Sequence, residues 1–274
     1  ETAVSKHSKE KAMLRNLKDL QGYALRATDG DVGTVKDFYF DDDRWVVRYL
    51  VVETGTWLSS RQVLISPVSL GVPNHDEKVV PVSITREQVK NSPDIDTDKP
   101  VSRQHEIDYL GYYGYPVYWD SIGIWGAGGM PGMMVPEAGL VPAGVGVLEA
   151  DRAIAVEVAA RHRDDDPHLR ACKAVTDYHI KAQDGEIGHV QGFIVDEQSW
   201  QIRYLVVDTS NWWMGHKVLV APQWIQEVSW ADKVVAVTMT RNAVQSAPEW
   251  DASLPPDRTQ EVEIYKHYDR TGYW

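Results

Sequence analysis

The residues best equipped for chemistry in this chain are dispersed. Arg48 and Arg203 lie in the middle of apolar runs, and Glu53 and Asp208 close the same runs. A buried guanidinium is nearly always paired. Strand alternation puts positions 48 and 53 on opposite faces, so the partners are expected on neighbouring strands, at Asp41 and Asp196. Asp41-Asp42-Asp43 is an acidic triplet without the 12-residue ligand spacing of a calcium loop, and it reads as an exposed turn. The run from His162 to His168 offers oxygen and imidazole ligands, yet it reads as a solvated acidic linker. No metal site is expected. Gly126-Ala127-Gly128-Gly129 is followed by Pro131 rather than a helix, so it is not a dinucleotide loop. GxSxG, HExxH and phosphate-loop motifs do not occur. No catalytic residue, no cofactor and no enzymatic activity are expected.

Bulk composition narrows the partners. Forty acidic residues against 28 basic ones give a net charge of −12. Phosphate backbones are bound by displacing counterions with Lys and Arg, so nucleic acid is not an expected partner. The single cysteine, Cys172, can form neither an internal disulfide nor a multi-cysteine zinc site; it reads as a small buried hydrophobe. The opening residues ETAVSKHSKEKAML carry charge and no apolar run, so no signal peptide is expected. The longest uncharged stretch, Ser121 to Pro136, is broken by glycines and prolines and is too short for a membrane span. A soluble, cytoplasmic protein is expected.

The elements that must position these residues follow from an internal repeat. Ala24 to Trp57 aligns without a gap on His179 to Trp212, an offset of 155 positions. Between Leu14 and Pro93, 30 of 80 aligned pairs are identical, too many for chance. Each copy reads as β-strands. Asp29-Gly30 and Asp184-Gly185 have the composition of hairpin turns. Strands are expected over Val32–Phe40, Trp45–Thr54, Val63–Ile65 and Val79–Ile84. The second of these is apolar on both faces, which requires cover on both. A helical turn begins at Thr85, with Gln88 placed for a capping box, and stops before Pro93. Position 243 is Ala, so the second box is incomplete.

The chain divides into a first copy with its extension (11–119), a Gly/Pro/Met-rich connector (120–165) and a second copy with its extension (166–274). The connector is too apolar for a solvated linker and is expected to lie on the barrels or on a partner. The extensions end in aromatics, where Tyr113, Tyr118 and Trp119 fall on Tyr268, Tyr273 and Trp274. Disorder is sustained by polar residues, so both tails are expected to fold back. The candidates for interface anchors are Trp57, Trp212, Trp213, Tyr118, Trp119, Tyr273 and Trp274, because Trp and Tyr concentrate where proteins meet.

The pattern DG-x-x-G-x-V-x-D-F-x-F-D, followed by W-x-V-R-Y-L-V-V-E-T, V-L-I-S-P and S-I-T-R-E-Q-V-K-x-S-P, resembles the PRC-barrel domain. That family includes the cytoplasmic part of the photosynthetic reaction-centre H subunit and the C-terminal domain of a ribosome-maturation factor. The resemblance implies a six-stranded barrel without shared catalytic residues that contacts another macromolecule. The expected fold is therefore all-β dominated: two small PRC-type β-barrels in tandem, with short helices and extended, aromatic-ended tails. The expected function is that of a non-enzymatic adapter or structural protein of bacterial type, with a protein partner or itself as a homo-oligomer. Two rivals are a capping subunit on the cytoplasmic face of a membrane energy-transducing complex, in peripheral contact with it, and a ligand binder or enzyme using a groove between the barrels.

Overall fold

The computed structural model describes residues 14–93, 101–119, 123–126, 131–132, 168–209 and 216–274. The first half runs β1 (Leu14–Asn16), α1 (Leu17–Leu20), β2 (Ala24–Ala27), β3 (Gly30–Asp41), β4 (Val46–Glu53), β5 (Gln62–Ile65), β6 (Val79–Pro81), α2 (Arg86–Asn91) and α3 (Arg103–Tyr113). The second half repeats this order. It runs β7 (Leu169–Ala171), α4 (Cys172–Val175), β8 (His179–Ala182), β9 (Gly185–Asp196), β10 (Ile202–Asp208), β11 (Lys217–Val220), β12 (Ile225–Ser229), β13 (Val234–Val237), α5 (Arg241–Gln245) and α6 (Arg258–His267).

Two sheets result, ordered β5-β4-β3-β2-β6 and β11-β10-β9-β8-β13-β12. The one difference in strand content has a local cause. In the second sheet β12 pairs with β13, from Ile225 opposite Val237 to Ser229 opposite Val234. The matching residues of the first half keep that register only as isolated bridges, Leu70 to Val82 and Asn74 to Val79. Pro73 and Pro81 stand between them, and neither can donate to a ladder.

The halves are joined by exchange. β3 is 12 residues long, and β2 pairs only with its beginning, Gly30 to Thr34. The remaining edge would stay open, which proteins avoid. It is filled by β7 from the other half, with Tyr39 opposite Ala171 and Asp41 opposite Leu169. Reciprocally, β1 fills the edge of β9, with Leu14 opposite Asp196 and Asn16 opposite Ile194. The short helices go with their strands: α1 packs on β9 and α4 on β3. Each contact maps onto the other by the same 155-residue shift, the isologous relation of a two-fold dimer within one chain. At the centre, Val46 bridges Gln201, Val47 N donates to Trp200 O at 2.8 Å, and Ile202 N donates to Trp45 O at 2.7 Å. Phe40 and Phe193 meet across the interface with ring centroids 5.6 Å apart. Such a pair adds about 0.5–1.5 kcal/mol beyond burial. Arg15–Glu197 (3.5 Å) and Arg170–Asp42 (2.8 Å) flank the exchanged strands.

Two expectations are revised. The hairpin loops are Thr28-Asp29 and Gln183-Asp184, since Ala27 pairs with Gly30 and Ala182 with Gly185. The glycines instead open the next strand, at φ +137° and +145°. The freed aspartates turn to the helices, where Asp29 Oδ1 accepts from Arg86 N and Asp184 Oδ1 from Arg241 N, both at 2.7 Å. The tails are not extended: each begins with a capped helix, α3 under Ser102 and α6 under Asp257. Two surface grooves among the described residues lie within one half each, one beside Trp57 and one beside Asp257. Other expectations hold. α2 carries the Thr85–Gln88 capping box, β4 is buried along Val46 to Val52, and Cys172 is buried. No helix among the described residues is long and apolar enough to cross a membrane.

Candidate functional site

Each half builds one polar cluster in its interior, and the aromatic tail completes it. The foundation is a β-bulge. Tyr39 pairs with Tyr49 and Phe40 with Val47, leaving Arg48 without an opposite residue. Arg203 is left out in the same way between Ile202 and Tyr204. A bulge breaks the period of two, so Arg48 and Tyr49, neighbours in sequence, converge on one cluster instead of parting to opposite faces.

Arg48 is fully buried and grips Asp41 Oδ2 through Nε (3.2 Å) and Nη2 (2.8 Å). Its guanidinium stacks on the Tyr118 ring at 3.7 Å. Tyr118 Oη donates to Glu106 Oε1 at 2.5 Å, and Tyr49 Oη donates to the same oxygen at 3.0 Å. Glu106 Oε2 faces His168 Nε2 at 2.6 Å and Arg103 Nη1 at 3.4 Å. The second half repeats this arrangement. Glu261 Oε1 accepts from Tyr204 (2.8 Å) and Tyr273 (2.7 Å), Oε2 faces Arg258 Nη1 at 3.0 Å, and Arg203 stacks on Tyr273 at 4.0 Å. An ionised carboxylate in a dry interior is tolerated only when paired and hydrogen-bonded, and both oxygens of each Glu are so engaged. Burial pushes the Tyr49 and Tyr118 hydroxyls well above the ordinary phenol range, and the neighbouring Glu106 charge pushes further. Tyr204 is raised for the same two reasons.

The cations around the two carboxylates differ at one position. His168 precedes β7 and so comes to Glu106 from the other half; its sequence counterpart at the 155-residue shift is Met13. The cluster of the first half thus ties β7, α3 and β4 together.

The sequence candidates fall in several places. Tyr118 is interior, at 3% exposed. Trp119 is half-buried under the Arg103 guanidinium at 4.3 Å, and Tyr273 is half-buried between Arg203 and Arg258. Trp274 is 52% exposed with Arg258 over its ring at 4.4 Å. Trp57 donates its indole N–H to Val32 O at 2.6 Å and lies under Arg86 at 4.2 Å. There it walls an open groove of about 400 Å³ with Asp29, Glu87 and Lys90. Trp212 and Trp213 lie outside the described residues, as does the acidic run before His168. In the triplet, Asp41 is held by Arg48 and Asp42 by Arg170, so two of its three charges are already countered. The expected partners of Arg48 and Arg203 are the observed ones, Arg203 meeting Asp196 at 3.2 Å. Glu106 and Glu261 escaped sequence reasoning. The available signal was that Arg103 and Glu106 match Arg258 and Glu261 at the repeat offset while the residues between them differ.

Comparison with known proteins agrees with the first half of this architecture. An uncharacterized protein of Deinococcus radiodurans is 34% identical over 84 residues, a stretch that is 30% of this chain and 30% of that protein's own length. Residues 14–89 match the PRC-barrel domain. That span takes in β1 to β6 and most of α2, and this chain therefore carries a PRC-barrel domain at residues 14–89.

Proposed function

We propose that the chain is a non-enzymatic interaction protein in which a second PRC-barrel module is locked to the first as one rigid adapter. The observation that carries this reading is the reciprocal strand exchange, β1 onto β9 and β7 onto β3. It fixes the spacing and orientation of two like surfaces, which is what a structural or adapter protein requires. The buried carboxylates support it. Glu106 and Glu261 are enclosed and held by donors from three or four elements, an arrangement that fastens each tail to its half. Self-association belongs to the same reading, through exposed apolar side chains such as Val72 and Leu254.

Purification of the full chain from its native cells under mild conditions tests this. The expected result is a stoichiometric protein partner, or a particle sedimenting well above the 30.9 kDa monomer. A partner-free monomer that turns over a small molecule would overturn it.

A further inference from the structure

The pseudo-symmetry singles out one site, because a contact made in the first half has no counterpart among the described residues of the second. In the first half the Arg48 guanidinium is sandwiched between Tyr118 at 3.7 Å and Trp125 at 4.9 Å. Its Nη1 donates to Ile124 O at 2.5 Å. Ile124 and Trp125 both belong to residues 123–126 (Gly-Ile-Trp-Gly), which lie across the half as a short strap, and Trp125 is 5% exposed. Gly126, at φ +87°, is required there: a Cβ would meet Val117 O at 2.5 Å.

In the second half Arg203 has Tyr273 on one face at 4.0 Å, and no ring covers the other among the described residues. Its side chain is 18% exposed where that of Arg48 is 0%. It bonds Asp196 through Nη2, and among the described residues nothing accepts from its Nη1, the donor that Arg48 gives to Ile124 O. Val117 is replaced by Gly272, and the rim is apolar: Trp274 is 52% and Val262 45% exposed, where the matching Ile107 is 2% exposed. A guanidinium with a bare face and a spare donor, rimmed by Trp and Val, suits an aromatic ring and a peptide carbonyl.

We infer that the Arg203–Tyr273–Trp274 face of the second half docks an extended segment of a partner protein with the chemistry Gly–apolar–Trp–Gly, the chemistry that residues 123–126 supply to Arg48. This rests on the reading of the chain as an interaction protein. The strap of a second copy is not the expected occupant, since residues 123–126 are already engaged at Arg48.

The test titrates the full chain with a labelled synthetic peptide, SIGIWGAGG, that reproduces residues 121–129. Fluorescence anisotropy should report saturable binding of one peptide per chain, at least tenfold weaker when the peptide Trp is Ala. Arg203→Ala should weaken binding at least tenfold at a temperature where its far-ultraviolet circular dichroism is that of the folded chain. Should that variant unfold, the Arg203 Nε–H resonance of the wild-type chain, tracked by ¹⁵N NMR, should shift on peptide addition. Absence of binding at millimolar peptide, binding indifferent to Arg203→Ala, or a static Nε–H signal would overturn the inference. Self-association of the peptide-free chain that Arg203→Ala abolishes would also overturn it, by making a second copy the occupant. A native partner whose binding ignores Arg203→Ala leaves the interaction reading standing and removes this site from it.

Discussion

Two halves with one strand order hold the same carboxylate in different surroundings. Around Glu106 the cage is closed: Arg103 is 19% exposed, His168 13%, and the carboxylate itself 0%. Around Glu261 the one cation among the described residues, Arg258, is 42% exposed, and Trp274 is half-exposed. Duplication has kept the chemistry of the latch, a glutamate drawing in two tyrosine hydroxyls, while the degree of enclosure has diverged. Enclosure decides magnitude, because removing one member of a buried ion pair strands the other.

The largest expected effect sharpens that contrast. Glu106→Ala strands two buried hydroxyls, Arg103 and His168, and should cost about 3–5 kcal/mol in denaturant unfolding. Glu261→Ala leaves Arg258 able to reach water and should cost at least about 1 kcal/mol less. Equal losses would show that enclosure does not separate the halves. Next come Tyr118→Phe and Tyr273→Phe, each deleting one hydrogen bond to a carboxylate. Each should cost about 1.5–3 kcal/mol, with Tyr118→Phe the larger because the ring of Tyr118 is the more buried. The reverse order would break the comparison.

Alkaline titration should give a smaller, graded effect. Unfolded tyrosines ionise near pH 10. Burial pushes Tyr115 of the first half and Tyr265 of the second up to about 12, and Tyr49 and Tyr118 further. Below pH 10 both states are protonated and stability is unaffected. Above it the unfolded chain sheds protons that the folded chain retains, so stability should fall as pH rises from about 10 through 12. Absorbance at 295 nm should show these hydroxyls ionising only as the far-ultraviolet circular dichroism is lost; ionisation near pH 10 with the fold intact would contradict their burial. The smallest effect belongs to the surface. Lys36→Ala removes an exposed pair with Glu53, and Gln191→Ala the matching bond to Asp208. Both should stay within about 0.5 kcal/mol of wild type.

How far such differences could be read beforehand depended on the range of the interaction. The repeat was legible because a gapless offset preserves identity at each position. The Arg48–Asp41 and Arg203–Asp196 pairs were legible because a buried guanidinium demands a carboxylate nearby. The exchange of β1 and β7 was not. Leu14–Asn16 carries the same apolar spacing whichever β3-type edge it covers, so nothing local records that the edge belongs to the other half. The bulge at Arg48 was hidden for a related reason: alternation assumes a regular ladder, and one extra residue reverses the face of every later position in the strand. The tail helices were obscured by their many tyrosines, which suit strands as well as helices, although Ser102 and Asp257 stood at capping positions. Gly33 and Gly188 show the complementary case. Their matched identity reports a close approach, since a Cβ at either would collide with the carbonyl oxygen of Glu53 or Asp208.

The exchange itself is tested most directly by cutting the chain. A protease site inserted after Val145 and cleaved to completion separates the halves covalently. If each half holds the other's lead-in strand, the two fragments should sediment together, as the uncut chain does, and part only in denaturant, with one cooperative transition. Fragments that separate in buffer, each retaining its own folded spectrum, would contradict the exchange.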